Sequence, residues 1–137
     1  MVLKDKLSLM IWFRLSRIYN KSIRESNQHL KKWNLSIAQF DVLAQIGSQK
    51  RLSQQELADK LLVTKGNITQ LLSKLENMGL IQREQEWKTK YLSLTKKGKE
   101  LFEEVVPLQE QFQASQFSKL NQEEKKQLLE LLRKIQN

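Results

Sequence analysis

Glycine and proline are scarce in this sequence, and their scarcity limits the folds it can adopt. Four Gly and one Pro occur among 137 residues. These two residue types most often end helices and form tight turns. A chain of one domain's usual length with so few of them is expected to form long helices joined by few turns. We therefore predict a mainly α-helical domain.

Helical spacing of apolar residues begins near the start of the chain. It predicts one long helix over residues 3–32. Ser36 and Gln39 have the spacing of a capping box, so a second helix is expected to start there and to end at Gly47.

The middle of the chain repeats the capping pattern and then changes period. Ser53 is a predicted N-cap for a third helix, Thr64 caps a fourth, and Gly79 ends it. Residues 80–94 place apolar residues on either side of a polar centre, which favours a two-stranded hairpin.

Two further helices are predicted at the carboxyl end. Thr95 is expected to cap a long fifth helix, and Pro107 inside it predicts a kink or break after Val106. Asn121, with an acid three residues later, is expected to cap the sixth.

The fold class is thus mainly α with a small β-hairpin (α+β). Two short helices followed by a hairpin describe a winged helix-turn-helix, which we place at residues 36–98. In that arrangement the second helix lies in the DNA major groove, while the hairpin reaches the backbone or minor groove. Residues 1–35 and 99–137 carry more apolar surface than one small module can cover. We expect them to form a dimer, the alternative being a monomer in which they wrap the module.

Positive charge is concentrated in the first three-quarters of the chain. The formal net charge is +9, with +6 in residues 1–35, +4 in residues 36–98 and −1 in residues 99–137. This excess favours a polyanionic partner, either nucleic acid or an anionic membrane surface. A basic protein without such a partner is the alternative that charge alone leaves open.

The fourth helix has a polar face opposite its apolar stripe, and from Lys65 to Leu75 it contains no acid. Asn and Gln can pair with adenine, while Ser and Thr can contact either base edge. Acids on this face would oppose phosphates. The alternative is a solvated face behind a capping sequence. We predict DNA contacts at Ser53, Gln54, Thr64, Lys65, Gly66, Asn67, Thr69, Gln70, Ser73, Lys74, Arg83, Lys88 and Lys90.

Trp87 lies near the tip of the predicted hairpin. Its indole can stack on a sugar or a partner surface, or it can fold back onto the module. We expect it to fold back.

Several classes of function are disfavoured by the sequence. There is no Cys, and the single His, His29, has no cluster of ligands around it, so no metal site or cofactor is predicted. We assign no role to His29 and expect it at the surface. No nucleophile–base pair or phosphate-binding loop stands out, so an enzyme is not expected. No apolar run approaches the ~20 residues of a membrane span, and the cytoplasm is the expected location.

Three blocks of this sequence together resemble the multiple-antibiotic-resistance regulator (MarR) family of bacterial transcription factors. They are "LSIAQFDVLAQI", "LSQQELADKLLVTKGNITQLLSKLENMGLIQR" and "LSLTKKGKELF". The resemblance covers essentially the whole chain. It implies a homodimer, held by the first and last two helices, that binds a pseudo-palindromic operator in double-stranded DNA and usually represses transcription.

The resemblance also implies a small, often phenolic, effector bound between the dimerisation and DNA-binding parts. Candidate pocket residues are Trp12, Phe13, Trp33 and Phe40, with core or dimer packing as the alternative for each. Members of the family usually carry an acid and two arginines at the wing, which is the two-stranded hairpin of the winged helix-turn-helix. This chain departs from that pattern, with Glu86, Trp87 and Lys88 in those places.

Two alternatives from other classes remain at this point. One is a winged-helix protein-interaction module without sequence-specific DNA binding. The other is a basic first helix lying on an anionic membrane surface.

Overall fold

The computed structural model describes residues 5–61 and 65–137, of which Lys65 and Gly66 are described by their backbone alone. Its helices are α1 (Lys6–Leu30), α2 (Ile37–Gly47), α3 (Gln54–Leu61), α4 (Lys65–Asn77), α5 (Lys96–Ser115) and α6 (Gln122–Gln136). Its strands are β1 (Leu52–Ser53), β2 (Ile81–Glu86) and β3 (Thr89–Leu94). The mainly helical fold with a small sheet is the one predicted.

The predicted caps are present where their residues are described. In α2 the Ser36 hydroxyl accepts from the Gln39 N–H, and the Gln39 side chain accepts from the Ser36 N–H, at 3.1 and 2.9 Å. Asn121 and Glu124 form the same reciprocal pair before α6. The predicted cap at Thr64 lies outside the described residues.

The sheet has three antiparallel strands in the order β1–β3–β2, so the predicted hairpin is correct but incomplete. β1 pairs Leu52 with Leu92 on the central strand. A two-residue strand shows no alternation of apolar and polar residues, so its pairing partner was not visible in the sequence. β1 joins the start of α3 to the hairpin.

A single apolar core lies between the helices and one face of the sheet. The predicted inward stripe of α4 is confirmed, since Ile68, Leu72 and Leu75 are all buried. They pack in one cluster with buried residues of the other elements, among them Leu57 of α3 and Val105 of α5. This packing fixes which face of α4 points outward.

Two helices differ from the predictions: α5 at Pro107, and α1 at both ends, since α1 begins at Lys6, after its N-cap Asp5, rather than at residue 3. α5 continues through Pro107 without a break and ends at Ser115. The backbone carbonyl that Pro107 leaves without a donor belongs to Glu103, an exposed residue, where water can replace the missing donor. α1 ends two residues early, in a 3₁₀ turn (Lys31–Trp33) followed by Asn34 at φ 58°. Asn is among the residues that most readily adopt this left-handed conformation.

The end of α4 is hydrogen-bonded directly to the start of α5. The Thr95 N–H donates to the Leu80 carbonyl at 3.0 Å, and the Thr95 hydroxyl donates to the Gly79 carbonyl at 2.6 Å. The Lys97 ammonium donates to the Met78 carbonyl at 3.0 Å. A Cβ at Gly98 would collide with the Leu80 carbonyl oxygen, so the two backbones meet where only Gly fits.

Replacing Gly98 by Ala is expected to lower the free energy of unfolding by about 1–3 kcal/mol, because the backbones must separate. In an unobstructed helix the same change would instead stabilise by about 1 kcal/mol. Denaturant unfolding followed by circular dichroism, at one protein concentration, measures the difference.

Gly79→Ala is the matched comparison for this measurement. Gly79 has φ +76°, and an added Cβ would meet only the Lys97 side chain, at 4.0 Å. Its expected cost is conformational, about 1–2 kcal/mol. A Gly98→Ala protein at least as stable as the unmodified chain would contradict the close approach.

Candidate nucleic-acid interface

The outward face of α4 carries the polar side chains expected there. Asn67, Thr69, Gln70, Ser73 and Lys74 are all exposed. Because the apolar stripe is buried on the other side, these residues share one solvent-facing surface. The roles predicted for Thr64, for the Lys65 side chain and for the surroundings of Gly66 lie outside what the structure describes.

The start of α3 and the wing enclose a cavity of about 370 Å³. Ser53 and Gln54 line it from one side, and Lys88 and Lys90 line it from the other, with Ile68 of α4 at the base. Four of the predicted contact residues, distant in sequence, are thereby brought together. They place two cations next to the start of α3 and to α4, which the cavity reaches at Ile68.

Ser53 and Gln54 differ in what they have left to offer a ligand. The Ser53 hydroxyl accepts from the Glu56 N–H at 3.0 Å, and the Glu56 carboxylate accepts from the Ser53 N–H at 3.2 Å. Hydrogen bonding of the Glu56 carboxylate to the Ser53 side chain, and then to the Ser53 backbone N–H, lowers the pKa of Glu56, so this carboxylate stays charged at neutral pH. Gln54 Oε1 has no hydrogen-bond partner among the described residues. Ser53 is buried and its hydroxyl is used in the cap, so half-buried Gln54, whose amide N–H groups can donate, is the better placed of the two for a phosphate contact.

Charges on the wing are sorted by face. Lys90 pairs with Gln85 and shares the face of the hairpin that carries buried Leu92. Glu84 and Glu86 alternate onto the opposite face. The acids of the wing thus point away from the cavity that Lys88 and Lys90 line.

Arg51, which no sequence pattern singled out, neutralises the acidic face of the wing. Its guanidinium lies 2.6 Å from a Glu86 carboxylate oxygen and 3.8 Å from the centre of the Tyr91 ring. The hydrogen bond to Glu86 is the main reason that the pKa of Arg51 is raised. Residues before a two-residue strand give no periodic pattern, so only the fold brings Arg51 to the hairpin.

Arg83 is less available than the other predicted cations. Its Nε lies 3.4 Å from Glu76, close enough for an ion pair although not aligned as a hydrogen bond. Its side chain is about one-quarter exposed. We infer that Arg83 mainly fixes the hairpin to the end of α4.

Trp87 does not fold back onto the module, so that expectation is wrong. Its side chain is 93% exposed at the tip of the wing. Its φ of +59° places it in the left-handed region, which costs a bulky residue about 1–3 kcal/mol. The turn between Glu86 and Thr89 has two residues, and it holds the indole away from the core.

Comparison with known proteins identifies this arrangement. Residues 35–87 match the profile of the MarR family. Over 132 residues the chain is 48% identical to an uncharacterized HTH-type transcriptional regulator of Bacillus cereus (strain ATCC 10987), covering 96% of this chain and 90% of the relative. The chain belongs to the MarR family. It is a transcriptional regulator with a winged-helix DNA-binding fold and is not an enzyme.

Solved structures of MarR proteins have the same fold. A point mutant of Escherichia coli MarR in complex with operator DNA aligns with a TM-score of 0.85 at 23% identity, covering 98% of this chain and 99% of the other. Bordetella bronchiseptica BpsR, whose DNA binding is regulated by 6-hydroxynicotinic acid, aligns with a TM-score of 0.83 at 25% identity. That alignment covers 93% of this chain and 99% of BpsR.

The four residues predicted for a MarR-type effector pocket are not brought together within one chain. Trp12 and Phe13 are exposed near the start of α1, where their rings touch edge to face. Phe40 is buried in the core. Trp33 lines a cavity of about 430 Å³ between the 3₁₀ turn, the end of α4 and the start of α5, which Met78 and Lys97 also line.

His29 is half-buried, contrary to the expectation of a surface residue. Its Nδ1 lies 2.8 Å from Gln109 Oε1, and its ring stacks on Phe112 with 4.5 Å between centroids. Gln109 is fully buried. The pair links α1 to α5, and a single His far from its partner in sequence gave no pattern from which to predict this.

Other classes of site find no support in the described part of this MarR chain. Residues 5–61 and 65–137 contain no group of three or more potential metal ligands. None of the described helices combines the length and apolar character that crossing a bilayer requires.

Proposed function

We propose that this regulator binds a pseudo-palindromic DNA operator as a homodimer, with α4 of each protomer in the major groove, and represses transcription. The observation that carries the proposal is the exposed polar face of α4, which has no acid from Lys65 to Leu75, together with the two wing lysines at the neighbouring cavity. An acid-free face suits a polyanion, since the phosphates on both walls of the groove would repel carboxylates.

Sequence reading is assigned to the amide side chains of α4. Gln70 is exposed at the middle of the outward face, and Asn67 lies one turn earlier. Both can pair bidentately with adenine, whereas Ser73 and Thr69 offer hydroxyls to either base edge. Lys65, Gly66 and Thr64 complete the proposed surface at the start of the helix.

We assign the contacts that position the protein on the DNA backbone to the residues around the 370 Å³ cavity. Lys88 and Lys90 face Gln54 across it, and ammonium and amide groups are common partners of phosphate. Lys74 lies on the other side of α4, on a cavity shared with Asn27 and Asn34. Phosphate contacts on both sides of α4 would fix its register in the groove.

The homodimer is proposed from apolar surface that one chain leaves exposed. On α1, Leu7, Trp12, Ile18 and Tyr19 are all more than half exposed. On α6, Ile135 is 69% exposed. Exposed large apolar side chains in this number are typical of a protein–protein interface. A two-fold axis between such surfaces would set two copies of α4 about one DNA turn, roughly 34 Å, apart.

A small aromatic or phenolic effector is proposed for the cavity that Trp33 lines. DNA binding by BpsR, which has the same fold, is regulated by 6-hydroxynicotinic acid, a small aromatic acid. The Lys97 ammonium at this cavity holds the Met78 carbonyl. Glu100 and Glu104 line the cavity as well as Lys97. An effector that accepts a hydrogen bond from Lys97 would compete with the Met78 carbonyl, which would loosen the last turn of α4 and release DNA.

Gln70→Ala is expected to reduce the preference for the chosen site over single-base variants by about 1–3 kcal/mol at the base pair that it reads. The site is first selected from a pool of random duplexes, and binding is followed by fluorescence anisotropy. Gln127→Ala on exposed α6 is the control. If all three proteins discriminate equally between the site and its single-base variants, Gln70 does not contact a base. If the unmodified protein binds no duplex at low salt, the result favours the alternative of a winged-helix protein-interaction module over DNA binding.

Ile18→Glu is expected to raise the dimer dissociation constant by at least roughly tenfold, because an unpaired carboxylate would be buried in the interface. Sedimentation equilibrium measures the change. Gln49→Glu adds the same charge in the exposed loop before β1 and should leave association unchanged. A monomeric unmodified protein, or equal association by both variants, would contradict the assigned interface.

Trp33→Leu is expected to raise the concentration of 6-hydroxynicotinic acid, or of a related phenolic acid, that half-releases DNA by at least roughly tenfold. Duplex affinity without the acid should stay within about twofold, since Trp33 is not on the reading face. Anisotropy titrations measure both quantities. An unchanged response would place the effector elsewhere, and no response to any such acid would refute regulation by this ligand class.

A further inference from the structure

We propose that Trp87 is a DNA-contact residue, whose indole packs against the deoxyribose walls of the minor groove next to the major groove that holds α4. The inference rests on the proposed DNA-binding function and extends it to a residue outside the predicted contact set. It starts from an indole that is 93% exposed at the tip of the wing.

The local backbone gives no reason for a Trp at this position. With φ at +59°, the turn favours Gly, Asn or Asp over a bulky side chain. Folding the indole back against the module would have buried apolar surface, and the structure does not do so. Neither the turn nor the core therefore accounts for the indole.

The tip is held in place by contacts on both strands. β2 and β3 stay paired up to Glu86 and Thr89. Arg51 contacts Glu86 and stacks on Tyr91, which braces the hairpin from outside. The Gln85 side chain donates to the Trp87 carbonyl at 3.3 Å. A ring presented on a braced turn loses little conformational freedom on binding.

The surroundings of Trp87 favour nucleic acid over a protein partner. Lys88 follows it directly and Lys90 lies two residues further, both lining the cavity beside α4. The wing acids lie on the opposite face with Arg51. The indole thus lies next to two cations of the proposed interface.

The hairpin is long enough for this contact. A six-residue strand spans roughly 20 Å, and the adjacent minor groove lies about half of a 34 Å turn from the major-groove site. Apolar side chains in a minor groove pack on the sugars and can insert at flexible base steps. Trp87 would thus read groove shape and deformability rather than base edges.

A neutral ring and a cation differ in how their contribution depends on salt. Lys88→Ala should weaken binding and make the salt slope shallower by about 0.9, because one phosphate contact is lost. Trp87→Gly should weaken binding by roughly fivefold or more, with the slope unchanged. Anisotropy titrations of the selected duplex at several salt concentrations measure both.

Trp87→Gly also separates binding from folding. Gly relieves the positive-φ strain, so the variant should unfold at the same or a higher denaturant concentration while binding DNA less tightly. Trp87→Asn, which also tolerates this backbone, should behave similarly. Loss of stability together with loss of binding would indicate a structural role and overturn the proposal.

A second measurement observes the ring itself. In a Trp12→Phe, Trp33→Phe background, Trp87 is the remaining Trp of the chain. Because Trp12 lies on the proposed dimer surface, the measurement is made once this background is shown to dimerise and to bind the duplex as the unmodified protein does. Saturating duplex should reduce its quenching by acrylamide roughly fivefold or more, as the ring leaves solvent. If the unmodified protein binds its duplex while Trp87→Gly binds equally well, or if quenching is unchanged, the indole serves another partner. If the unmodified protein binds no duplex, the proposed function itself fails.

Discussion

The position of α4, which we propose as the DNA-reading helix, depends on the close contact between its end and the start of α5. Gly98 meets the Leu80 carbonyl where any side chain would collide. Hydrogen bonds from Thr95 and Lys97 satisfy carbonyls that the end of α4 would otherwise leave unpaired. The helix that we place in the major groove is thereby fixed to the helix that leads to the terminal region.

The distribution of charge at the proposed DNA interface follows from the register of the hairpin strands β2 and β3. Alternation along the hairpin sends Glu84 and Glu86 to one face and Lys90 to the other. A one-residue slip in β2 would exchange the faces of its acids. The ion pair between Arg51 and Glu86 spans two exposed side chains, so it adds little stability. We attribute to it a role in orienting the wing.

Much of the fold follows from interactions that are short-range in sequence. Capping pairs such as Ser36 with Gln39 and the apolar stripe of α4 could be read directly, because the interacting residues lie within four positions of one another or recur at the helical period. The family resemblance added the expected homodimer, operator and effector, whereas the order of the elements came from caps and periodicity. β1, the Arg51 contact and the His29–Gln109 link join residues 35 to 80 positions apart, and nothing local identifies those partners. Trp87 was misplaced because a pattern of residue types does not show that its backbone turns the indole outward.

The unbroken course of α5 has a mechanical consequence. Twenty residues from Lys96 to Ser115 form one unbroken helix, with an axial rise of about 30 Å at 1.5 Å per residue. In the proposed dimer, a tilt of about 5° at the far end of such a lever would displace the near end, with α4 attached, by about 2.6 Å. If α5 of both protomers moved symmetrically, the distance between the two copies of α4 would change by twice that amount. This change is a large fraction of the rise of two base pairs. Slight repacking between protomers would then be enough to take both reading helices out of phase with the DNA.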